Sequence, residues 1–201
     1  MNQQQVWNKI TPEWNKFRTI PFPETIGFLK KQKGKILDLG SGSGRHLIKL
    51  KNGKMYEVDF SKEMIKLAKI KASKQKIPAE FFISESENLP FQKNFFDAGI
   101  CTSLMQCIDT QNKRNKTIQE LFRVLKPGSK ALISTWDKNS SRYKNKPKKA
   151  TMKWRNKGTR TIYFYDEQEL KDKLKKVGFK IKTKIPNKFN IIFVVEKPSQ
   201  I

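Results

Sequence analysis

One ten-residue stretch constrains this chain more than any other: Ile36-Leu37-Asp38-Leu39-Gly40-Ser41-Gly42-Ser43-Gly44-Arg45. An apolar run enters alternating glycines, so the backbone must turn sharply and a ligand can approach it with no side chain between. Gly-x-Gly alone is a weak signal. It gains weight from the acid that ends the next apolar run, Tyr56-Glu57-Val58-Asp59-Phe60-Ser61. The separation 59 − 40 is 19, close to the ~20 residues at which a carboxylate reaches both ribose hydroxyls of a bound nucleoside.

From Lys35 onward short apolar runs alternate with helical patterns, the signature of a parallel sheet covered by helices. Strands are expected at Lys35–Leu39, Met55–Asp59, Ala79–Ser84, Asp97–Cys101, Ala131–Trp136, Phe179–Lys184 and Phe189–Glu196. Helices are expected near Gly44–Leu50, Lys62–Lys74 (capped by Ser61), Lys113–Leu125 and Glu167–Val177. Before the sheet, Val6, Trp7, Ile10, Trp14 and Phe17 fall on one face of an amphipathic helix that ends before Pro21-Phe22-Pro23. The 201 residues fit one domain, with 1–33 as a helical lid.

The chain has 43 Lys+Arg against 18 Asp+Glu, a formal charge of +25. That excess points to a polyanion, nucleic acid first, because each cation placed at a phosphate releases counterions. Ten of the basic residues lie between Lys138 and Arg160 with no acid among them. Such a stretch repels itself and is expected to stay expelled unless a polyanion gathers it, which makes 138–160 a substrate-binding insertion. No apolar run approaches a membrane span. Two cysteines make no disulfide framework, and one histidine leaves no structural zinc site, so no metal and a cytoplasmic protein are expected.

The glycine spacing separates two nucleoside cofactors. Asp38 before a Gly-x-Gly-x-Gly turn would repel a pyrophosphate but suits the ammonium and sulfonium of S-adenosylmethionine. Asp38, Gly40, Ser41, Gly42, Gly44, Asp59 and Phe60 are therefore expected to hold that donor, with Glu85 or the Ser86 amide at the adenine edge and Cys101 beside it. After the fourth strand stands Cys101-Thr102-Ser103-Leu104-Met105, without the Asn/Asp-Pro-Pro-Tyr/Phe of amino methyltransferases. No general base is evident, since Gln106 cannot take a proton and His46 reads as a solvated helical residue. A carboxylate is ionised at pH 7 and needs no base, only alignment.

These motifs, with Phe96-Asp97-Ala98-Gly99-Ile100 and Arg123-Val124-Leu125-Lys126-Pro127-Gly128, resemble the class I S-adenosylmethionine methyltransferases. That resemblance implies a Rossmann-like α/β fold with a seven-stranded, mostly parallel sheet ordered 3-2-1-4-5-7-6. The opening Val6-Trp7-Asn8-Lys9-Ile10-Thr11-Pro12-Glu13-Trp14-Asn15-Lys16-Phe17-Arg18 and the segment Arg160-Thr161-Ile162-Tyr163-Phe164-Tyr165…Glu169-Leu170 resemble the tRNA wobble-uridine carboxymethyl methyltransferases, the group shared with the methyltransferase domain of AlkB homologue eight. The chain departs from them at Gln106-Cys107, where paired histidines stand, and at Ile162-Tyr163, where Tyr-His stands.

The resemblance implies methyl transfer to the carboxylate of 5-carboxymethyluridine in the anticodon. Arg18 would grip a carboxylate, the acceptor's or the donor's. Gln106, Arg160 and Tyr163 would border the uridine, Lys148 and Lys149 would follow the phosphates of the anticodon arm, and Trp154 would stack on an unpaired base. It also implies a heterodimer: a small zinc-ribbon activator adding a strand beside the edge run Phe81, Phe82 and Ile83. A methyltransferase acting on a small-molecule or protein carboxyl group, or a non-catalytic RNA-binding relative, are the competing readings.

Overall fold

Gly40 and Gly42 hold φ at +76° and +57°, so the first apolar run ends as a strand at Leu39 and folds back on itself. The computed structural model describes residues 2–199. Its strands are β1 (Gly34–Leu39), β2 (Gly53–Asp59), β3 (Ala79–Ile83), β4 (Phe96–Thr102), β5 (Leu125–Trp136), β6 (Lys149–Lys153), β7 (Thr159–Tyr163), β8 (Lys180–Lys184) and β9 (Asn190–Glu196). Seven of them form one sheet ordered β3-β2-β1-β4-β5-β9-β8, while β6 and β7 make a separate antiparallel hairpin. With the hairpin set aside, this is the order 3-2-1-4-5-7-6. Only β9 runs against its neighbours in that sheet.

Helices α1 (Gln3–Phe17), α2 (Pro23–Leu29), α3 (Lys62–Gln75), α4 (Gln111–Val124) and α5 (Glu167–Val177) cover the sheet. Successive strand residues face opposite sides, and both sides are buried. Leu37 and Tyr56 join one apolar cluster with Ile118, Leu121, Leu170 and Leu174 of α4 and α5, whereas Ile36 and Met55 join another with Phe28 and Ala72 of α2 and α3. Helix starts follow the expected chemistry: Ser61 Oγ accepts the Met64 amide at 3.2 Å, and Asn2 and Gln5 form a reciprocal cap on α1.

Two expectations fail here. No helix covers 44–50, only turns. Gly44 also sits at φ +75°, so no right-handed helix can start before Arg45, and the chain must reach Gly53 in register with Gly34 a few residues later. Nor is the basic stretch expelled. It folds into β6–β7, because its cations find acids elsewhere in the chain and Tyr143 and Ile162 bury beside Phe164. Among the described residues no helix is long and apolar enough to cross a membrane.

Candidate active site

A cleft of about 300 Å³ opens where β1, β2, β3 and β4 end. Its floor is the glycine turn. The Gly40 and Ser41 amides donate to Val58 O at 2.8 and 3.0 Å, tying the turn to β2. A Cβ on Gly40 would lie 2.8 Å from Leu104 Cβ, so the turn fits only without a side chain. Asp59 closes the arrangement: its Oδ2 accepts the Gly42 amide and its Oδ1 the Ser61 amide, both at 2.9 Å. Burial raises the Asp59 carboxyl to about 6 against the pull of those amides.

The roof is α1. Gln4 Nε2 donates to Phe60 O at 2.8 Å and Ser61 Oγ to Asn8 Oδ1 at 2.7 Å, which fixes the helix over the end of β2. Trp7, Trp14 and Arg18 thereby reach the cleft wall. Of the residues singled out from the sequence, Arg18, Gly40, Ser41, Gly42, Asp59, Phe60, Glu85 and Ser86 line this one cleft. Glu85 is raised by burial and then by Glu87, and Ser86 Oγ lies 2.8 Å from Thr117 Oγ1.

Others lie elsewhere, each for a physical reason. Asp38 is 1% exposed and points into the interior, in register with Glu57. Burial raises both carboxyls, with Asp59 adding to it at Asp38 and Asp38 adding to it at Glu57. Gly44 packs against α3, with Ala68 Cβ 3.3 Å from where its own Cβ would stand. Cys101 is in the apolar core and its thiol is pushed up by burial. Gln106 is 1% exposed and its Oε1 accepts from Thr135 Oγ1 at 3.1 Å, so it braces β5 and faces no ligand.

The basic insertion also departs from expectation. Lys148 pairs with Asp166 at 2.5 Å and Glu169 at 2.7 Å, and Tyr163 gives its hydroxyl to Glu169 at 2.8 Å beneath the Arg114 guanidinium. Neither lines the cleft, and Lys149 is exposed across the hairpin from Tyr163. Trp154 is half-buried, packed on Trp14 with Nε1 donating to Glu13 at 3.0 Å. Arg160 is 4% exposed, its guanidinium 5.2, 4.9 and 5.2 Å from the Trp7, Trp14 and Trp154 rings, with Nε and Nη1 unpartnered. Of the edge residues, Phe82 stacks on Tyr56 and Phe81 packs on the other core face, so only Ile83, 58% exposed, is free.

The sequence missed Arg45 and His46. With no helix at 44–50, both turn into the cleft wall. His46 is 4% exposed against Phe22, and burial followed by Arg45 lowers its imidazole to about 3. Arg45 donates to Ile20 O at 2.7 Å and lies over the Phe22 ring. Burial first, and then Arg18, disfavours the charge of both Arg45 and Arg160. Arg18 and Arg45 line the cleft, whereas Arg160 is boxed by the three indoles and is not among the lining residues. None of the three pairs with a carboxylate among the described residues. Such a cluster is an anion site.

Residues 30–185 match the family model described as a methyltransferase domain. The tRNA (carboxymethyluridine(34)-5-O)-methyltransferase of Arabidopsis thaliana is 31% identical over 134 residues, 66% of this chain and 32% of that one. The corresponding Xenopus tropicalis enzyme is 30% identical over 72% of this chain and 22% of its own. The chain thus spans about a third or less of these curated relatives. An uncharacterised protein of Methanocaldococcus jannaschii is 31% identical over 87% of this chain and 81% of its own. Among solved structures, an S-adenosylmethionine-dependent methyltransferase of Methanosarcina mazei superposes at TM-score 0.72 with 21% identity, over 90% of this chain and all of that one. A complex of the Haloferax volcanii Trm112 methyltransferase activator with its methyltransferase gives TM-score 0.73 at 15% identity, over 99% of this chain and 97% of that one.

Proposed function

The chain belongs to the methyltransferase-domain family, and from that membership we propose that it transfers a methyl group from S-adenosylmethionine to the carboxylate of a tRNA uridine, 5-carboxymethyluridine at the wobble position. The donor fits the cleft. Ser41 Oγ, Thr102 Oγ1 and His46 Nε2 are buried, line it and have no partner among the described residues, so the cleft offers polar groups that a nucleoside amino acid can satisfy. Asp59 stands ready for ribose hydroxyls, and Glu85 and Ser86 for a base edge. Bound there, S-adenosylmethionine supplies a methyl carbon on a cationic sulfur, open to in-line attack.

The observation that carries the acceptor is the pair of guanidiniums in the cleft wall, Arg18 and Arg45, neither of which meets a carboxylate among the described residues. It can take the donor's α-carboxylate and an acceptor carboxylate together. Neither His46, lowered to about 3, nor the Cys107 thiol, pushed up to about 11 by burial, serves as a base, and the raised Asp59 carboxyl is committed to the Gly42 and Ser61 amides. An acceptor already ionised at neutral pH suits such a site. What this chain contributes is orientation of two carboxylates by guanidiniums and exclusion of water by α1. The charge of +25 and the names of the relatives support tRNA as the carrier.

We propose further that a small zinc-ribbon activator adds a strand along β3. That strand pairs only with β2 and leaves its other edge open, and the Haloferax volcanii neighbour was solved with an activator. Incubating the chain and such an activator with labelled donor and bulk tRNA tests the reading. The label is expected in a uridine nucleoside as a methyl ester, released by mild alkali. Label that survives alkali, or none in tRNA, overturns it.

A further inference from the structure

Beside the cleft lies a second, open groove walled by Phe17, Arg18, Lys153, Trp154 and Arg155. It exists because the tip of the β6–β7 hairpin docks on α1. A Cβ on Gly158 would come within 3.1 Å of the Val6 methyls, Gln3 exchanges side-chain hydrogen bonds with Thr159 O and the Thr161 amide, and Glu13 pairs with Lys157 at 2.8 Å. The contact is anchored from beneath by the Arg160 guanidinium among three indoles. Its outer surface is what the docking leaves over: a phenyl ring 61% exposed, set edge-on to Trp154 at 6.4 Å, with the Arg155 guanidinium 5.9 Å from its centroid.

Three properties of this groove point to one ligand class. Among the described residues its walls carry three cations and no acid, and the nearby Glu13 carboxylate is held by Lys157, Arg155 and Trp154. It presents one flat aromatic ring among those cations, the combination that single-stranded nucleic acid uses, with bases stacking while phosphates meet guanidinium and ammonium groups. And it shares Arg18 with the methyl-transfer cleft, so the two sites adjoin across one side chain.

We propose that this groove is a second nucleotide site, which takes the RNA residue next to the methyl-accepting uridine by stacking its base on Phe17 and placing the flanking phosphates on Lys153 and Arg155, with Arg18 at the junction left to the cleft. The inference rests on the tRNA reading above and moves the stacking role from Trp154, whose ring is committed to Trp14 and Glu13, to Phe17.

The test uses the full chain and a fluorescein-labelled single-stranded RNA heptamer with a central uridine, its affinity read by anisotropy across a salt series. Phe17→Ala is expected to weaken binding at least about fivefold with the salt slope unchanged, and Phe17→Trp to restore it. Lys153→Ala and Arg155→Ala should each make the slope shallower by roughly 0.7. Phe17 is exposed, so these variants are expected to melt like the parent protein. Phe17→Ala binding within twofold of the parent overturns the site. So does an equal loss of affinity for polyglutamate, which would mark an acidic protein surface as the occupant. Methyl transfer to bulk tRNA is scored in parallel. Transfer with Phe17 irrelevant to binding overturns this site alone, whereas Phe17-dependent RNA binding without transfer overturns the enzymatic reading and leaves the site standing.

Discussion

The Gly42 amide donates to Asp59 Oδ2 at 2.9 Å, so the glycine turn after β1 and the acid ending β2 form one rigid unit before any ligand arrives. That preorganisation removes the cost of ordering a flexible acid at binding. It also makes the unit sensitive to pH. Asp59 is raised to about 6, so the empty cleft carries a protonated, weakly accepting carboxyl below that value and an ionised one above. Donor affinity measured by calorimetry is expected to be flat from pH 7 to 8 and to fall below pH 6 by up to about tenfold per unit. Asp59→Ala should remove measurable binding. Affinity that is the same at pH 5 and pH 7 would sink this role.

Asp38 and Glu57 face each other in register inside the protein, one 1% and the other 0% exposed. Burial raises both carboxyls, helped by Asp59 at Asp38 and by Asp38 at Glu57. A carboxyl whose folded pKa exceeds its unfolded one holds a proton in the native state that the unfolded chain has released. Stability is therefore lost as pH rises from about 4.5 toward the folded value, at about 1.4 kcal/mol per unit of displacement. Glu57→Gln keeps the shape and cannot ionise. In urea unfolding it is expected to exceed the parent protein in stability at pH 8 and to converge with it near pH 4.5. Equal stability at pH 8 would show that the pair is relaxed by other means.

The sheet was readable because its central strands β1, β2 and β4 bury two faces and end in turn chemistry, and helix α3 because its cap, Ser61, is explicit. The donor-binding turn was readable because glycine at positive φ has no substitute. What failed depended on tertiary partners. Lys148 looked like a phosphate ligand until Asp166 and Glu169, 18 and 21 residues on, claimed it. Gln106 looked like a substrate ligand until Thr135 claimed its oxygen. Arg45 was overlooked and His46 read as a solvated helical residue because a helix was expected from Gly44, whose positive φ denies it a start there. Side-chain role followed from which acid or carbonyl lay near in space, and no local pattern encodes that.

Lys197 is only 6% exposed although it is a lysine, and its Nζ donates to Asn94 Oδ1 at 2.8 Å and to the carbonyls of Phe122 and Leu125 at 2.9 and 2.7 Å. It thus satisfies carbonyls at the end of α4 that the helix leaves orphaned. Lys197→Met fills the same space and leaves those oxygens dry. The expected loss is about 1–3 kcal/mol, a drop in Tm of roughly 3–10 °C for a chain of this size. An unchanged melting curve would mean that water replaces the ammonium.

Strand β3 offers an open backbone edge, and Ile83 is the one large apolar side chain on it left in solvent. Ile83→Asp touches no core cluster, unlike Phe81→Asp, which would also unsettle the sheet. If an activator pairs there, the substitution should lower its affinity at least about tenfold in a pull-down titration, consistent with loss of a buried side chain worth roughly 1.5–3 kcal/mol, while the chain's own melting temperature holds. Undiminished capture of the activator would place the interface elsewhere.

Arg18 stands where the two grooves meet, its guanidinium 5.1 Å from the Trp14 ring and near those of Arg45 and Arg160. Of the three it has the fewest commitments, since Arg45 is tied to Ile20 O and Arg160 is boxed by indoles. It is therefore the one able to close on an arriving carboxylate. Loss of a charge-assisted hydrogen bond costs about 1.5–3 kcal/mol, so Arg18→Ala should lower kcat/KM for tRNA roughly 10–100-fold. Arg18→Lys, which keeps the charge without the planar fork, should recover only part of it. Donor Kd, read by calorimetry on the same variants, decides which carboxylate is held. A shift under about threefold assigns Arg18 to the acceptor, a shift matching the kinetic loss assigns it to the donor's α-carboxylate, and no change in either measurement would remove Arg18 from the site.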